Sequence, residues 1–504
     1  MDCGPGCFDG ASVCRIPGSD KAAPDYNVEA SSPSVKLSET LGILTSEFSP
    51  YDGQRIMKPP SRLSRRRLLK AAAATLPTII SASAIGRERP APSERINIGL
   101  VGFGARGQQV LRDFLPLADA QIVAVCDVQR LHYREQEWGK GPALGREVGK
   151  RTVEAHYAAA KTSGTYTGCA TLSDYRELCG RADIDAVIVT TPDHWHALQA
   201  LETLRRGKDL YCEKPMTHFF AEAAALCREA ALQKAVVQVG SQQRSDSLFR
   251  QAVELVRNGH LGAIQRVEVG LPAGYDVPQG DAAIATPPAE LDYEMWCGPA
   301  PKLPYMRARH HRWWRGNRAY GGGTLMDWIG HHNDIAHWAI DADRGGPLRV
   351  ETIGWKRPKT EIYNTPVDFN IHCEYPDGVE LAISSKFELG TKWIGAGGWL
   401  WVNRGKIHAS DSRWLQAGFD RGPWKAYVSS GHARNFLDCI KSRGECVAPP
   451  EIAHRSITPG HLGYVSNQVG RALQWDCARQ AIVGDDEAQQ LLQAAPYRAP
   501  WKLL

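Results

Sequence analysis

The stretch Arg95-Ile96-Asn97-Ile98-Gly99-Leu100-Val101-Gly102-Phe103-Gly104-Ala105-Arg106-Gly107 decides the fold. A short apolar run of strand character passes directly into a G-x-G-x-x-G turn. A helical stretch, Gln108–Leu115, follows, and then a second apolar run, Ile122–Cys126, which closes on Asp127. Each part has a physical task in holding a dinucleotide. Gly102 permits the tight turn, Gly104 lets backbone approach a pyrophosphate, and Gly107 lets helix and strand pack closely. The helix N-terminus, with Ala105 and Arg106 in its first turn, offers unpaired N–H groups and partial positive charge to phosphates. Asp127 lies about 20 residues beyond the last glycine, where an acid takes hydrogen bonds from a ribose diol. An acid there repels a 2′-phosphate, so NAD is expected over NADP.

Further strands are expected at Ala186–Thr190, Leu210–Cys212 and Ala235–Val239, with helices at Ser173–Cys179 and His196–Arg206. Strands alternating with helices predict right-handed crossovers and a parallel sheet. The carboxyl ends of those strands carry Thr190-Thr191-Pro192-Asp193-His194-Trp195-His196 and Cys212-Glu213-Lys214-Pro215. In an open α/β sheet ligands bind along that edge. After about Ser245 the pattern changes. Val367, Phe369, Ile371, Cys373 and Tyr375 alternate with polar residues, and Pro376-Asp377-Gly378 turns the chain into Val379–Phe387. With Ile264–Val269, Leu348–Trp355 and a hairpin over Trp399–His408, this predicts a large, mainly antiparallel sheet backed by helices. The expected fold is α/β: a Rossmann domain over 94–244 and an α+β domain over 245–504.

Glu213-Lys214-Pro215, the T-P-x-x-x-H of Thr191 to His196 and the N-terminal glycine turn together resemble the glucose–fructose oxidoreductase/inositol dehydrogenase (Gfo/Idh/MocA) family. Later motifs continue the likeness: Gly240-Ser241-Gln242-Gln243-Arg244, Trp296-Cys297-Gly298-Pro299-Ala300, Tyr320-Gly321-Gly322-Gly323 and Asp327-x-x-x-His331. Arg434-Asn435-Phe436-Leu437-Asp438 and Ala499-Pro500-Trp501-Lys502 resemble an exported branch. The resemblance implies a sugar, cyclitol or polyol dehydrogenase with Lys214, Asp327 and His331 at the reacting carbon. It implies that Thr191, Pro192, His196, Glu213 and Lys214 join the glycine turn around the cofactor. Gln243, Arg244, Tyr320 and His332 are then expected on the substrate. The family's D-x-G-x-H has Ile329 here in place of its glycine. Asp327, His331, His332 and Asp334 also form a pattern that can ligate zinc, but the resemblance implies catalysis without metal. A homo-oligomer is expected, assembled on the open face of the second sheet.

Ser64-Arg65-Arg66-Arg67-Leu68-Leu69-Lys70, the apolar run Ala71–Ile80 and Ala82-Ser83-Ala84 resemble a twin-arginine export signal that opens at Met57. Residues 1–56 read as disordered or as an extension from an upstream start. Export in the folded state, to the periplasm, implies transient contact with the twin-arginine machinery, no stable membrane insertion and a tightly bound NAD. The 504 residues carry a net charge of +5, but residues 1–84 hold ten Lys/Arg against eight Asp/Glu, leaving 50 against 47 beyond them. That balance excludes a dedicated nucleic-acid binder. The 13 cysteines form no C-x-x-C pair, which excludes a zinc ribbon. Arg307–Tyr320, basic and aromatic, suits sugar contact, a lid or an interface. Three functions are compatible with the sequence: a net oxidoreductase, a cofactor-cycled sugar transformation such as glycosidic cleavage through a keto intermediate, and a non-catalytic sugar or NAD sensor.

Overall fold

The computed structural model describes residues 90–134 and 141–503, so the expected export signal and the expected extension over residues 1–56 lie outside the described residues. The first sheet is wholly parallel, in the order β5-β2-β1-β6-β7-β8. Its strands are β1 Ile96–Val101, β2 Ala120–Cys126, β5 Ala170–Leu172, β6 Ala186–Val189, β7 Asp209–Cys212 and β8 Val237–Val239. A two-stranded ribbon, β3 His132–Tyr133 with β4 Ala143–Leu144, interrupts the crossover after β2. Helices cover both faces, which is why β6 and β7 read as unbroken apolar runs and are buried at every position. After β5, laid down outside β2, the chain returns to the far side of β1 to form β6. The ends of β1 and β6 therefore diverge into a crevice, lined by the Gly102 turn and by Thr190–Pro192.

The second sheet has nine strands, in the order β15-β14-β13-β9-β12-β11-β10-β16-β17. They are β9 Ile264–Gly270, β10 Arg349–Lys356, β11 Asp368–Glu374, β12 Glu380–Ser384, β13 Gly390–Gly395, β14 Gly398–Asn403, β15 Lys406–Ala409, β16 Leu473–Asp476 and β17 Ala481–Val483. All its pairings are antiparallel except β9 with β12. One face packs on the helices Ser247–Arg257, Gly323–Ala339 and Pro450–Val469 around Phe249, Leu325, Ile371 and Trp393. Ile329, in the place of the family's glycine, is wholly buried in this core, and the helix Gly323–Ala339 runs through it unbroken.

The boundary near residue 245 separates the sheets but not the cores. The helix His432–Ser442 returns to the Rossmann sheet, where Phe436 packs edge-on against Phe114 and Tyr211. Around that seat Arg434 and Lys441 both pair with Asp119, and Arg443 pairs with Asp209.

Candidate active site

A cleft of about 910 Å³ runs from the glycine turn to the start of the helix Gly323–Ala339. At its dinucleotide end Gly102 has φ +89, and a Cβ there would come within 3.0 Å of Thr190 and Thr191. A Cβ on Gly107 would lie 2.1 Å from the Gly102 carbonyl, so helix and turn meet only through glycine. Gly104 differs: no described residue comes within 4 Å of its missing Cβ. The space above it faces the cleft, as a pyrophosphate cradle requires. Asp127 takes backbone N–H bonds from Phe103 (2.7 Å) and Gln129 (2.8 Å), which ties the acid to the turn. Burial pushes its carboxyl up against those two donors. The remaining lone pairs suit a ribose diol.

Two motifs from different crossovers are then locked together. The ring nitrogens of His196 lie 2.8 Å from the Thr191 carbonyl and 2.7 Å from that of Pro215, so one imidazole spaces the two loops. Glu213 pairs with Arg106 at 2.8 Å and accepts Gln242 Nε2 at 2.8 Å. Burial opposes its ionisation, but Arg106 prevails and holds the carboxyl below its ordinary value. Gly240 clears the space, since a Cβ there would stand 2.6 Å from Glu213 Oε1.

At the far end Lys214 Nζ donates to Asp327 Oδ1 (2.8 Å) and to the Asp327 carbonyl (2.6 Å). Arg315 Nε lies 3.1 Å from the same carboxylate oxygen. Burial alone would raise the Asp327 carboxyl; the cations of Arg315 and Lys214 outweigh it and keep the group ionised. His331 stands one turn further along the helix and lines the same cleft. Burial lowers its pKa well below the ordinary value, and Lys214 and Arg404 lower it further, so the ring is neutral. No hydrogen bond joins Asp327 to His331. The acid pairs with the lysine rather than with the imidazole. Gln243 also lines the cleft, buried, with neither amide atom partnered among the described residues.

Three expected substrate contacts lie elsewhere. Arg244 is buried between Asp334 (2.7 Å) and Asp343 (2.6 Å), away from the cleft. Tyr320 is fully buried against Trp296 and donates to the Pro301 carbonyl. His332 is fully buried, stacked on Trp328 near Phe249, and does not itself line the cleft. With Asp334 held by Arg244 and His332 stacked on Trp328, the four-residue zinc pattern does not converge, and no group of three or more candidate metal ligands occurs among the described residues. The cleft also takes in residues that the sequence does not single out individually. Trp314 and Arg315, from the Arg307–Tyr320 segment, and Asp193, directly after Thr191-Pro192, all line it.

Family models identify the two halves. One described as an oxidoreductase-family NAD-binding Rossmann fold matches residues 148–241, and one described as an oxidoreductase-family C-terminal alpha/beta domain matches 246–503. The chain belongs to the Gfo/Idh/MocA oxidoreductase family. Inositol 2-dehydrogenase 3 of Saccharopolyspora erythraea is 30% identical over 169 residues, 33% of this chain and 42% of that protein. Alpha-N-acetylgalactosaminidase of Shewanella oneidensis is 31% identical over 174 residues, 31% of this chain and 34% of that protein. These alignments thus span less than half of either relative's length. Among solved structures, aldose-aldose oxidoreductase from Caulobacter crescentus complexed with glycerol superposes with a TM-score of 0.52 at 17% identity, covering 75% of this chain and 99% of that one. The WlbA dehydrogenase from Bordetella pertussis in complex with NADH and UDP-GlcNAcA gives 0.52 at 18%, covering 76% and 99%. At these identities the structural likeness is one of fold.

Proposed function

We propose that the protein transfers hydride between a secondary alcohol of a sugar, cyclitol or related polyol and NAD, with Lys214, Asp327 and His331 serving the reacting carbon. The observation that carries this is the Lys214–Asp327 pair beside a neutral His331, in one cleft with the glycine turn. The bound nicotinamide supplies a hydride acceptor or donor. The chain supplies the rest. Neutral His331 has a lone pair for the hydroxyl proton, and the Lys214 ammonium stabilises negative charge developing on the same oxygen. Asp327 fixes the ammonium in place, and Gln243 offers both a donor and an acceptor to whatever lies beside it. Asp127 favours NAD over NADP.

The test is direct. The purified protein is assayed for bound nicotinamide, then for absorbance change with myo-inositol, D-glucose and simple glycosides. Reduction of the cofactor by a polyol supports the proposal, and NAD binding without any turnover would indicate a sensor. Similarity to an alpha-N-acetylgalactosaminidase favours a second reading, glycoside cleavage with the cofactor reduced and reoxidised in each turnover. It would release product without net cofactor consumption.

The depressed pKa of His331 has a kinetic signature. Because the ring protonates only well below the usual histidine value of about 6.5, kcat for alcohol oxidation should stay flat as pH falls through that value. A kcat limb at about 6.5 would reject His331 as the base.

We also propose folded export through the twin-arginine pathway with NAD retained, and assembly of a homo-oligomer. Replacing Arg65 and Arg66 by Lys should strand the precursor in the cytoplasm on cell fractionation. Normal export would reject the signal.

A further inference from the structure

Asp193 is the first residue of the helix Asp193–Arg205 and is only 2% exposed. A carboxylate so buried ordinarily accepts two or more hydrogen bonds, because withdrawing its charge from water without replacement is costly. No side chain or backbone N–H of the described residues donates to the Asp193 carboxylate, which opens onto the cleft. Every charged neighbour is engaged elsewhere. Arg315 and Lys214 pair with Asp327, the His196 ring nitrogens face two carbonyls, and Arg318 contacts the His218 ring while lying over the Tyr464 ring. Burial accordingly pushes the carboxyl up to about 6; Arg315, His196 and Lys214 pull it down, and Asp327 opposes them.

Its position indicates what supplies the missing donors. Asp193 lines the cleft beside Trp314. A Cβ on Gly321 would stand 2.9 Å from Asp193 Oδ2 and 2.6 Å from Trp314, so the glycine keeps acid and indole together on one wall. An aromatic face beside an unsatisfied carboxylate matches a ring with C–H bonds on its face and hydroxyls at its edge. Three of the charged neighbours of Asp193, Arg315, Lys214 and Asp327, stand at the reacting end of the cleft. We propose that Asp193 is a substrate-contacting residue that accepts hydrogen bonds from hydroxyls neighbouring the reacting carbon of a polyhydroxylated ring held against Trp314, an assignment that rests on the function proposed above.

The test uses the full chain loaded with NAD, Asp193→Asn beside the wild type, and myo-inositol, D-glucose and their deoxy analogues as probes in calorimetry and turnover. Asp193→Asn is expected to weaken binding and raise KM by about tenfold or more, as for a lost hydrogen bond to a charged group, with kcat within about threefold. Wild-type KM should rise as pH falls through about 6, because protonation removes the acceptor, and the variant should lack that limb. Deleting a neighbouring hydroxyl from the probe should cost the wild type and not the variant.

A ligand-free arm is independent of the substrate. A carboxyl whose folded pKa lies above its unfolded value costs stability once ionised, so Asp193→Asn should melt at or above the wild type near pH 7.5. The difference should shrink as pH falls below about 6 and vanish only below the unfolded value of 3.8. A lower melting temperature, an unchanged KM, a collapse of kcat at constant KM, or loss of NAD instead of polyol would each overturn the assignment. If the wild type turns over none of the probes, the polyol function itself fails and the hydroxyl assignment with it. The melting comparison then separates that result from a structural Asp193.

Discussion

Lys214→Ala is expected to abolish turnover, by roughly 10³-fold or more, while leaving nicotinamide binding and the fold in place. The size follows from two losses at one atom: the cation that stabilises alkoxide character in the transition state, and the group that fixes the proton's path to His331. The fold survives because Asp327 is not stranded, since Arg315 still lies 3.1 Å from its carboxylate. Dinucleotide binding survives because Gly102, Gly104, Asp127 and the His196 latch make no use of the ammonium. Steady-state rates, with bound NAD measured on the same samples, check both halves. Activity unchanged in Lys214→Ala would sink the assigned role, and loss of NAD would move the lysine to the cofactor.

Arg244→Leu should act in the opposite way, on stability before catalysis. It leaves Asp334 and Asp343 without their common cation, and breaking a buried pair by removing one partner costs roughly 3–5 kcal/mol. Burial already raises the Asp334 carboxyl, with Arg244 pulling it down. Without the arginine it rises further, so the deficit is greatest near neutral pH and narrows as acid protonates the carboxyl. Denaturant titration of the variant at two pH values measures this, and adding Asp334→Leu should restore part of the loss. A normal melting profile with a raised KM would return Arg244 to the substrate.

These two residues show what the sequence carried. The Rossmann half was legible because strand, glycine turn, helix and Asp127 are contiguous and each constrains the next. The hairpins of the second sheet were legible from strict alternation around Pro376-Asp377-Gly378. Lys214, Asp327 and His331 entered through family resemblance, and they converge. Arg244 was misassigned because it adjoins Gln243 in a site motif, whereas its partner Asp334 is 90 residues away. His332 was misassigned by adjacency too, although helix geometry argues against it: a residue next to His331 is turned about 100° from the shared face of Asp327 and His331. Arg315 and Asp193 stayed hidden for a different reason. Nothing local distinguishes a basic residue among the many of Arg307–Tyr320, or an acid at a helix start, from its solvated equivalents. Only the crossing of the two domains makes Arg315 a partner of Asp327 and leaves Asp193 without one.

The helix His432–Ser442 has a consequence for how the chain matures. Phe436 fills its place against Phe114 and Tyr211 only after more than 300 further residues have been synthesised beyond Phe114. During synthesis the dinucleotide-binding half therefore emerges with an open apolar seat and with Asp119 lacking both of its cations. Residues 94–244 expressed alone would present that seat to other chains and tend to aggregate. The frame of the cofactor site is thus completed late, by a segment that does not itself line the cleft.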